Sequence, residues 1–172
     1  MAAFGGYLMD TSIVSAFAPG KPPPPRDMAA WMHSNADLMF VPALALQELR
    51  KGIAKLHRSG GHDRAARLLS WLERIPDVYG DRVLDVNPAV AMTAGVMEDA
   101  ATAAGRNPGL ADILIASTAK TYSLRLLTAN VRHFVPLDVD CVNPFEVSGN
   151  GSPPPSKAVR RKSPDDPGGT GG

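Results

Sequence analysis

One cysteine, Cys141, occurs in the 172 residues. No intrachain disulfide and no cysteine-built zinc cage can form from it, which fits a reducing compartment. Its setting, Val139-Asp-Cys-Val142, marks it as a small buried strand residue rather than a reactive thiol. Long apolar runs are missing too, and none approaches the roughly 20 residues that a membrane-spanning helix needs. No charge dominates: 18 Lys and Arg stand against 17 Asp and Glu. Coating nucleic acid by bulk basicity is therefore excluded, whereas binding through a local site is not. The opening residues lack a basic segment and reach Asp10 too soon for a secretory signal, so a cytoplasmic protein without membrane attachment is expected. His33, His57, His62 and His133 have no zinc-like spacing, and Gly60-Gly61-His62 lacks the Lys-Ser/Thr ending of a phosphate loop.

What the chain has in quantity is proline and glycine, 16 of each, gathered in a few places. Residues 148–172 hold Ser152-Pro-Pro-Pro155, Arg160-Arg-Lys162 and Gly168-Gly-Thr-Gly-Gly172, with almost nothing to bury. That composition predicts a disordered tail, to which no function is assigned. Residues 1–147 form one domain, very slightly acidic once the tail's four basic and two acidic residues are set aside. A second cluster, Pro22 to Pro25, reads as an extended connector inside that domain.

Within residues 1–147, short apolar runs alternate with helical patterns, which predicts an α/β fold with a parallel sheet flanked by helices. Strands are expected at Tyr7-Leu-Met9, Leu38-Met-Phe-Val41, Val83-Leu84, Leu126-Leu-Thr128 and Val139 to Val142. Helices are expected to begin near Thr11, Arg26, Ala43, Asp63, Pro88 and Gly109, with Asn87-Pro88 and Asn107-Pro108 as the best-marked starts. Leu46, Leu49, Ile53 and Leu56, and again Leu68, Leu69, Leu72 and Ile75, keep the spacing of a sheet-covering face. Ligands of such sheets sit at the rim formed by the carboxyl ends of the strands.

Three acids fall near that rim. Asp10 closes the first strand and precedes Thr11-Ser12; Glu48 lies early in a helix; Asp112 is embedded in the apolar Gly109-Leu-Ala-Asp-Ile-Leu-Ile-Ala116. Each has an ordinary reading: Asp10 as a helix cap, Glu48 as a surface residue beside Arg50 and Lys51, Asp112 as a favourable charge at a helix start. Taken together they suggest more, because converging carboxylates repel unless they share a proton or bind a cation, and oxygen-rich sites suit Mg²⁺ or Mn²⁺.

Four segments, Tyr7-Leu-Met-Asp-Thr-Ser-Ile13, Glu48-Leu-Arg-Lys-Gly-Ile53, Ala111-Asp-Ile-Leu-Ile-Ala116 and Leu127-Thr-Ala-Asn-Val-Arg-His-Phe134, resemble in order and interval the motifs of PIN-domain ribonucleases. The resemblance is closest to VapC toxins of toxin–antitoxin pairs, and it spans roughly residues 6–147. It implies a PIN-like fold and a metal-dependent endoribonuclease whose Asp10, Glu48 and Asp112 hold Mg²⁺ or Mn²⁺. Asn130 falls where many members place a fourth acid, and its neutral amide puts tight binding of a second metal in doubt. Ser12 and Thr128 match supporting polar positions, and His133 stands where relatives often have Asp. The implied chemistry is in-line attack on phosphorus by a metal-activated water, with no protein nucleophile. The resemblance further implies structured cellular RNA of the tRNA or rRNA class as substrate, a small antitoxin whose C-terminal segment lies beside the acids, and a homodimer. Two other readings stay open at this point: a catalytically weak PIN-like module that binds RNA or protein, and an α/β domain whose acids are only caps and surface groups.

Overall fold

A computed structural model describes residues 5–146. The expected tail, 148–172, lies outside the described residues. The sheet has five strands, all parallel, in the order β3-β2-β1-β4-β5. The strands are β1 (Tyr7–Met9), β2 (Met39–Pro42), β3 (Val83–Leu84), β4 (Arg125–Leu127) and β5 (Cys141–Val142). Eight α-helices accompany them among the described residues: α1 (Thr11–Ala16), α2 (Arg26–Ser34), α3 (Ala43–Arg58), α4 (His62–Glu73), α5 (Ile75–Tyr79), α6 (Pro88–Ala103), α7 (Leu110–Thr121) and α8 (Val131–Phe134).

Strand alternation divides the core into two layers. Successive side chains of a strand point to opposite faces, so Met9 of β1, Met39 and Val41 of β2 and Leu127 of β4 share one layer with Trp31 of α2, Ile53 of α3 and Leu72 of α4. Leu8 and Leu126 enter the other, with Ala94 and Met97 of α6, Ile113 and Ala116 of α7 and Phe134 of α8. A parallel sheet covered on both faces follows, the usual outcome where the strands are apolar throughout. The expected faces of α3 and α4 both pack into the first layer. Tyr7 meets Trp31 edge-on, with ring centroids 4.9 Å apart. Gly6 opens β1 at φ +155°, and a Cβ there would stand 2.6 Å from the Leu38 carbonyl oxygen, so no other residue fits without movement.

Several boundaries differ from the sequence reading. Leu38 lies in a 3-10 turn, Ala36–Leu38, and is exposed, so β2 begins at Met39. Thr128 follows β4 rather than ending it, and β5 is confined to Cys141–Val142. The short helices α5 and α8 carry too few residues to show a periodicity. Asn87 does cap α6, its Oδ1 accepting from the Val90 amide at 3.0 Å. Asn107 does not cap α7: Gly109 stands at the cap position with extended backbone, and no side chain accepts from the first-turn amides.

The strand order decides where function belongs. From β1 the chain runs outward through β2 to β3, then returns to β4 on the other side of β1. The crevice at the carboxyl ends of β1 and β4 is thus a topological switch point, where ligands of open α/β sheets bind.

Candidate active site

Asp10 and Thr128 are the first residues beyond β1 and β4, and the pairing of Met9 with Leu127 sets them side by side. The Asp10 amide donates to the Leu127 carbonyl at 2.9 Å. Its carboxylate is 6% exposed and receives three hydrogen bonds. Oδ1 accepts from the Thr11 amide at 2.7 Å, while Oδ2 accepts from the Ser12 hydroxyl at 2.7 Å and the Thr128 hydroxyl at 2.8 Å. The capping role expected of Asp10 is therefore real, but one oxygen performs it. The other is oriented by two hydroxyls, one of them from a residue 118 positions away. Donors of this kind satisfy the lone pairs of a carboxylate in a buried place.

Those hydroxyls are themselves fixed. Thr128 Oγ1 accepts from the Asn130 amide and Ser12 Oγ accepts from the Ala129 amide, both at 3.0 Å, which ties the loop after β4 to the start of α1. Glu48 is reached through one further residue: the Thr11 hydroxyl donates to Glu48 Oε2. The packing of α1 against α3 allows this contact, and Glu48 shows no ion pair with Arg50 or Lys51. Thr11 was not singled out in the sequence. Its signal was only its position after Asp10, which becomes informative once α3 is known to lie beside α1.

Asp112 occupies the first turn of α7 with a side chain 30% exposed. Burial raises its pKa above the ordinary carboxylate range; the His133 charge pulls it back, and the negative charge of Asp10 pushes it up again. His133 Nδ1 lies 3.6 Å from Asp112 Oδ2. Asp10 and Asp112 thus feel each other electrostatically, as converging carboxylates do. Asn130 is placed differently: its backbone serves the site through Thr128, but its exposed side chain makes no hydrogen bond to the described residues.

Among the described residues, no three His, Cys, Asp or Glu side chains stand close enough to hold a metal ion together. A ready-made protein cage is absent from this arrangement of side chains. The donor set nevertheless fits Mg²⁺. That cation keeps most of its water and is commonly held by one or two carboxylates plus substrate phosphate. Asp10 and Asp112 are the two carboxylates that could hold such an ion, which would relieve their mutual repulsion, and Glu48 stands one hydroxyl away.

Residues 7–136 match the model of the PIN domain. The chain belongs to the PIN-domain family. It is 29% identical over 139 residues to Toxin FitB of Neisseria gonorrhoeae, an alignment covering 80% of this chain and 97% of that protein. Among solved structures it is similar to FitAcB from Neisseria gonorrhoeae, with a TM-score of 0.70, 30% identity, and coverage of 82% of this chain and 99% of the other. DNA-bound VapBC from Salmonella typhimurium shares the fold at a TM-score of 0.63 and 23% identity, over 75% of this chain and 89% of the other. No helix among the described residues of this PIN domain is long and apolar enough to cross a membrane.

Proposed function

We propose that this PIN domain is a metal-dependent endoribonuclease and the toxin of a toxin–antitoxin pair. The observation that carries the reading is the pair Asp10 and Asp112 at the switch point. One carboxylate is oriented by Ser12 and Thr128, the other has its pKa raised by burial and by its neighbour's charge. Asp10, Asp112 and, through water, Glu48 would hold Mg²⁺ or Mn²⁺. A cation bound there supplies Lewis acidity, making a water molecule more acidic and offsetting charge on the scissile phosphate.

The chain's own residues account for the rest. Ser12 and Thr128 keep Asp10 Oδ2 in one orientation, which is what positions a ligand oxygen reproducibly. Thr11, next to Asp10 in the chain, holds the Glu48 carboxylate by a hydrogen bond. Without a cation the crevice repels an RNA backbone, so binding and turnover depend on the same ion. Asn130 brings no fourth charge.

The kinship with FitB and with toxin–antitoxin complexes supports an antitoxin as partner. A groove of about 190 Å³ opens beside Glu48, walled by Ala18, Leu49, Ile53, Leu68 and Trp71 with Lys21 and Arg64 also lining it, and this mostly apolar lining with a few charged groups suits a protein segment. Met92 and Val96, at 70% and 74% exposed on α6, support a second copy of the chain as a further partner.

Cleavage of total cellular RNA by the purified full chain tests this reading, with Mg²⁺ or Mn²⁺ beside EDTA-treated and Asp10→Asn samples. Discrete fragments that require both metal and Asp10 are expected, and their sequencing decides between tRNA and rRNA. A second reading, a PIN-like module that binds RNA without cutting it, draws on Asn130 and on the lack of a three-ligand group. RNA bound but uncut across a metal titration would establish it instead.

A further inference from the structure

A cavity of about 350 Å³ opens on the Asp112 side of the crevice, lined by Arg106, Asn107, Gly109, Asp112, Arg132 and His133 among others. It shares no residue with the mostly apolar groove beside Glu48, which Lys21 and Arg64 also line, so two separate surfaces flank the acids. The basic side chains are placed by the fold rather than scattered. α6 ends in a Schellman turn: Gly105 takes φ +70° and the Arg106 amide bonds the Ala101 carbonyl at 2.9 Å, so Arg106 leaves the helix in one direction. Its Nη1 then donates to the Pro136 carbonyl at 3.1 Å, which holds the guanidinium across the cavity and leaves other N–H donors free. Arg132 comes from α8 and makes no ion pair among the described residues. Among the described residues, the only carboxylate lining the cavity is Asp112.

Resting on the nuclease reading, we propose that this cavity is a phosphate subsite: Arg106 and Arg132 seat the backbone phosphate next to the scissile one on a single-stranded RNA. A strand whose scissile phosphate lies at Asp10 and Asp112 has to continue past one of the two flanks. The Glu48 flank is mostly apolar and sets its two cations, Lys21 and Arg64, among Ala18, Leu49, Ile53, Leu68 and Trp71, whereas the Asp112 flank offers two permanently charged guanidiniums, one of them held across the cavity by the Pro136 carbonyl, that pair with phosphate oxygens. The contact reads the backbone and not the bases, so it sets register without sequence preference.

The test is equilibrium binding of a short fluorescein-labelled single-stranded RNA to the full chain, followed by anisotropy over a salt series. Ca²⁺ replaces Mg²⁺, and the RNA is checked for integrity on a gel. Arg106→Gln and Arg132→Gln should each weaken binding roughly three- to tenfold, equally for RNAs of different sequence. Each should also lower the slope of log affinity against log salt by about 0.7, the value for one phosphate contact on a single strand. Arg106→Lys keeps the charge and should restore the slope, which a purely structural role at the Pro136 carbonyl would not predict. Unchanged affinity and slope in folded Gln variants overturn the subsite, even if those variants still cut RNA with Mg²⁺, an outcome that leaves the nuclease reading standing. An arginine-dependent slope in a protein that never cuts RNA keeps the subsite and removes the nuclease. Displacement of the RNA by poly-L-glutamate as readily as by unlabelled RNA would assign the cavity to an acidic protein segment and overturn the proposal.

Discussion

Two hydroxyls donate to the same oxygen of Asp10, and that shared acceptor makes a quantitative prediction about Ser12 and Thr128. Thr128→Val preserves shape in a residue that is fully buried, so the loss is confined to the hydroxyl. A hydrogen bond to a charged acceptor contributes about 1.5–3 kcal/mol. Ser12→Ala should fall near or below the lower figure, because Ser12 is only half-buried. The amides of Ala129 and Asn130, which lose their acceptors in these variants, belong to exposed residues and turn to water. After either substitution Asp10 Oδ2 keeps one donor; after both it has none, on a carboxylate 6% exposed. The double variant should therefore be destabilised beyond the sum of the singles by roughly 0.5–3 kcal/mol, the range of coupling in shared networks. Urea denaturation followed by far-ultraviolet circular dichroism measures this, provided the denaturant slope is common to all four proteins. Additivity within about 0.3 kcal/mol would refute the claim that the two hydroxyls act through one oxygen.

Asp112→Asn should abolish metal-dependent cleavage without lowering the thermal midpoint in EDTA, and it should remove the rise in midpoint that Mg²⁺ brings to the wild type. Because its pKa is raised, Asp112 binds its proton more tightly in the folded chain than in the unfolded one. Wild-type stability should accordingly fall, relative to the Asn variant, as pH rises from the ordinary value of 3.8 through the raised one. Burial, with Asp140 adding to it, pushes the Cys141 thiol up from 9.0 to about 11. Alkylation at pH 8 should be slow in the native protein and fast in urea, and stability should decline between pH 9 and 11 by at most about 1.4 kcal/mol per pH unit, a decline missing from Cys141→Ala. Gly6→Ala should cost more than about 1 kcal/mol in chemical denaturation, since its Cβ meets the Leu38 carbonyl and the Phe40 ring at 2.6 and 2.8 Å.

Much of the site was legible in one dimension because each acid travels with a local pattern. Asp10 ends an apolar triplet and precedes two hydroxyl residues, the arrangement of a strand turning into a capped helix. Asp112 sits in an apolar helix where an unpaired carboxylate is costly. Ser12 and Thr128 were recognisable as supporting positions, and both donate to Asp10. Thr11 and Arg106 were not, for a shared reason. The role of Thr11 depends on α3 lying beside α1, and that of Arg106 on α6 ending in a left-handed glycine turn opposite Pro136. Neither relation leaves a spacing in the sequence. Asn107-Pro108 misled in the opposite direction: it has the form of a helix start, yet α7 begins only after Gly109, and both residues line the cavity instead.

Hydrophobic periodicity, caps and the order of short apolar runs were enough to specify an α/β sheet covered by helices and to place Asp10 at a strand end and Glu48 and Asp112 early in helices. These are properties of neighbouring residues, and local sterics and burial act on them directly. The strand order was a different matter. That β4 rather than β3 lies beside β1 is a choice among distant partners, settled by how whole helix layers cover both faces of the sheet. That choice sets Thr128 against Asp10 across 118 residues and brings Asp112 within the field of Asp10. Local sequence supplied the carboxylates, and packing at long range made them a candidate site.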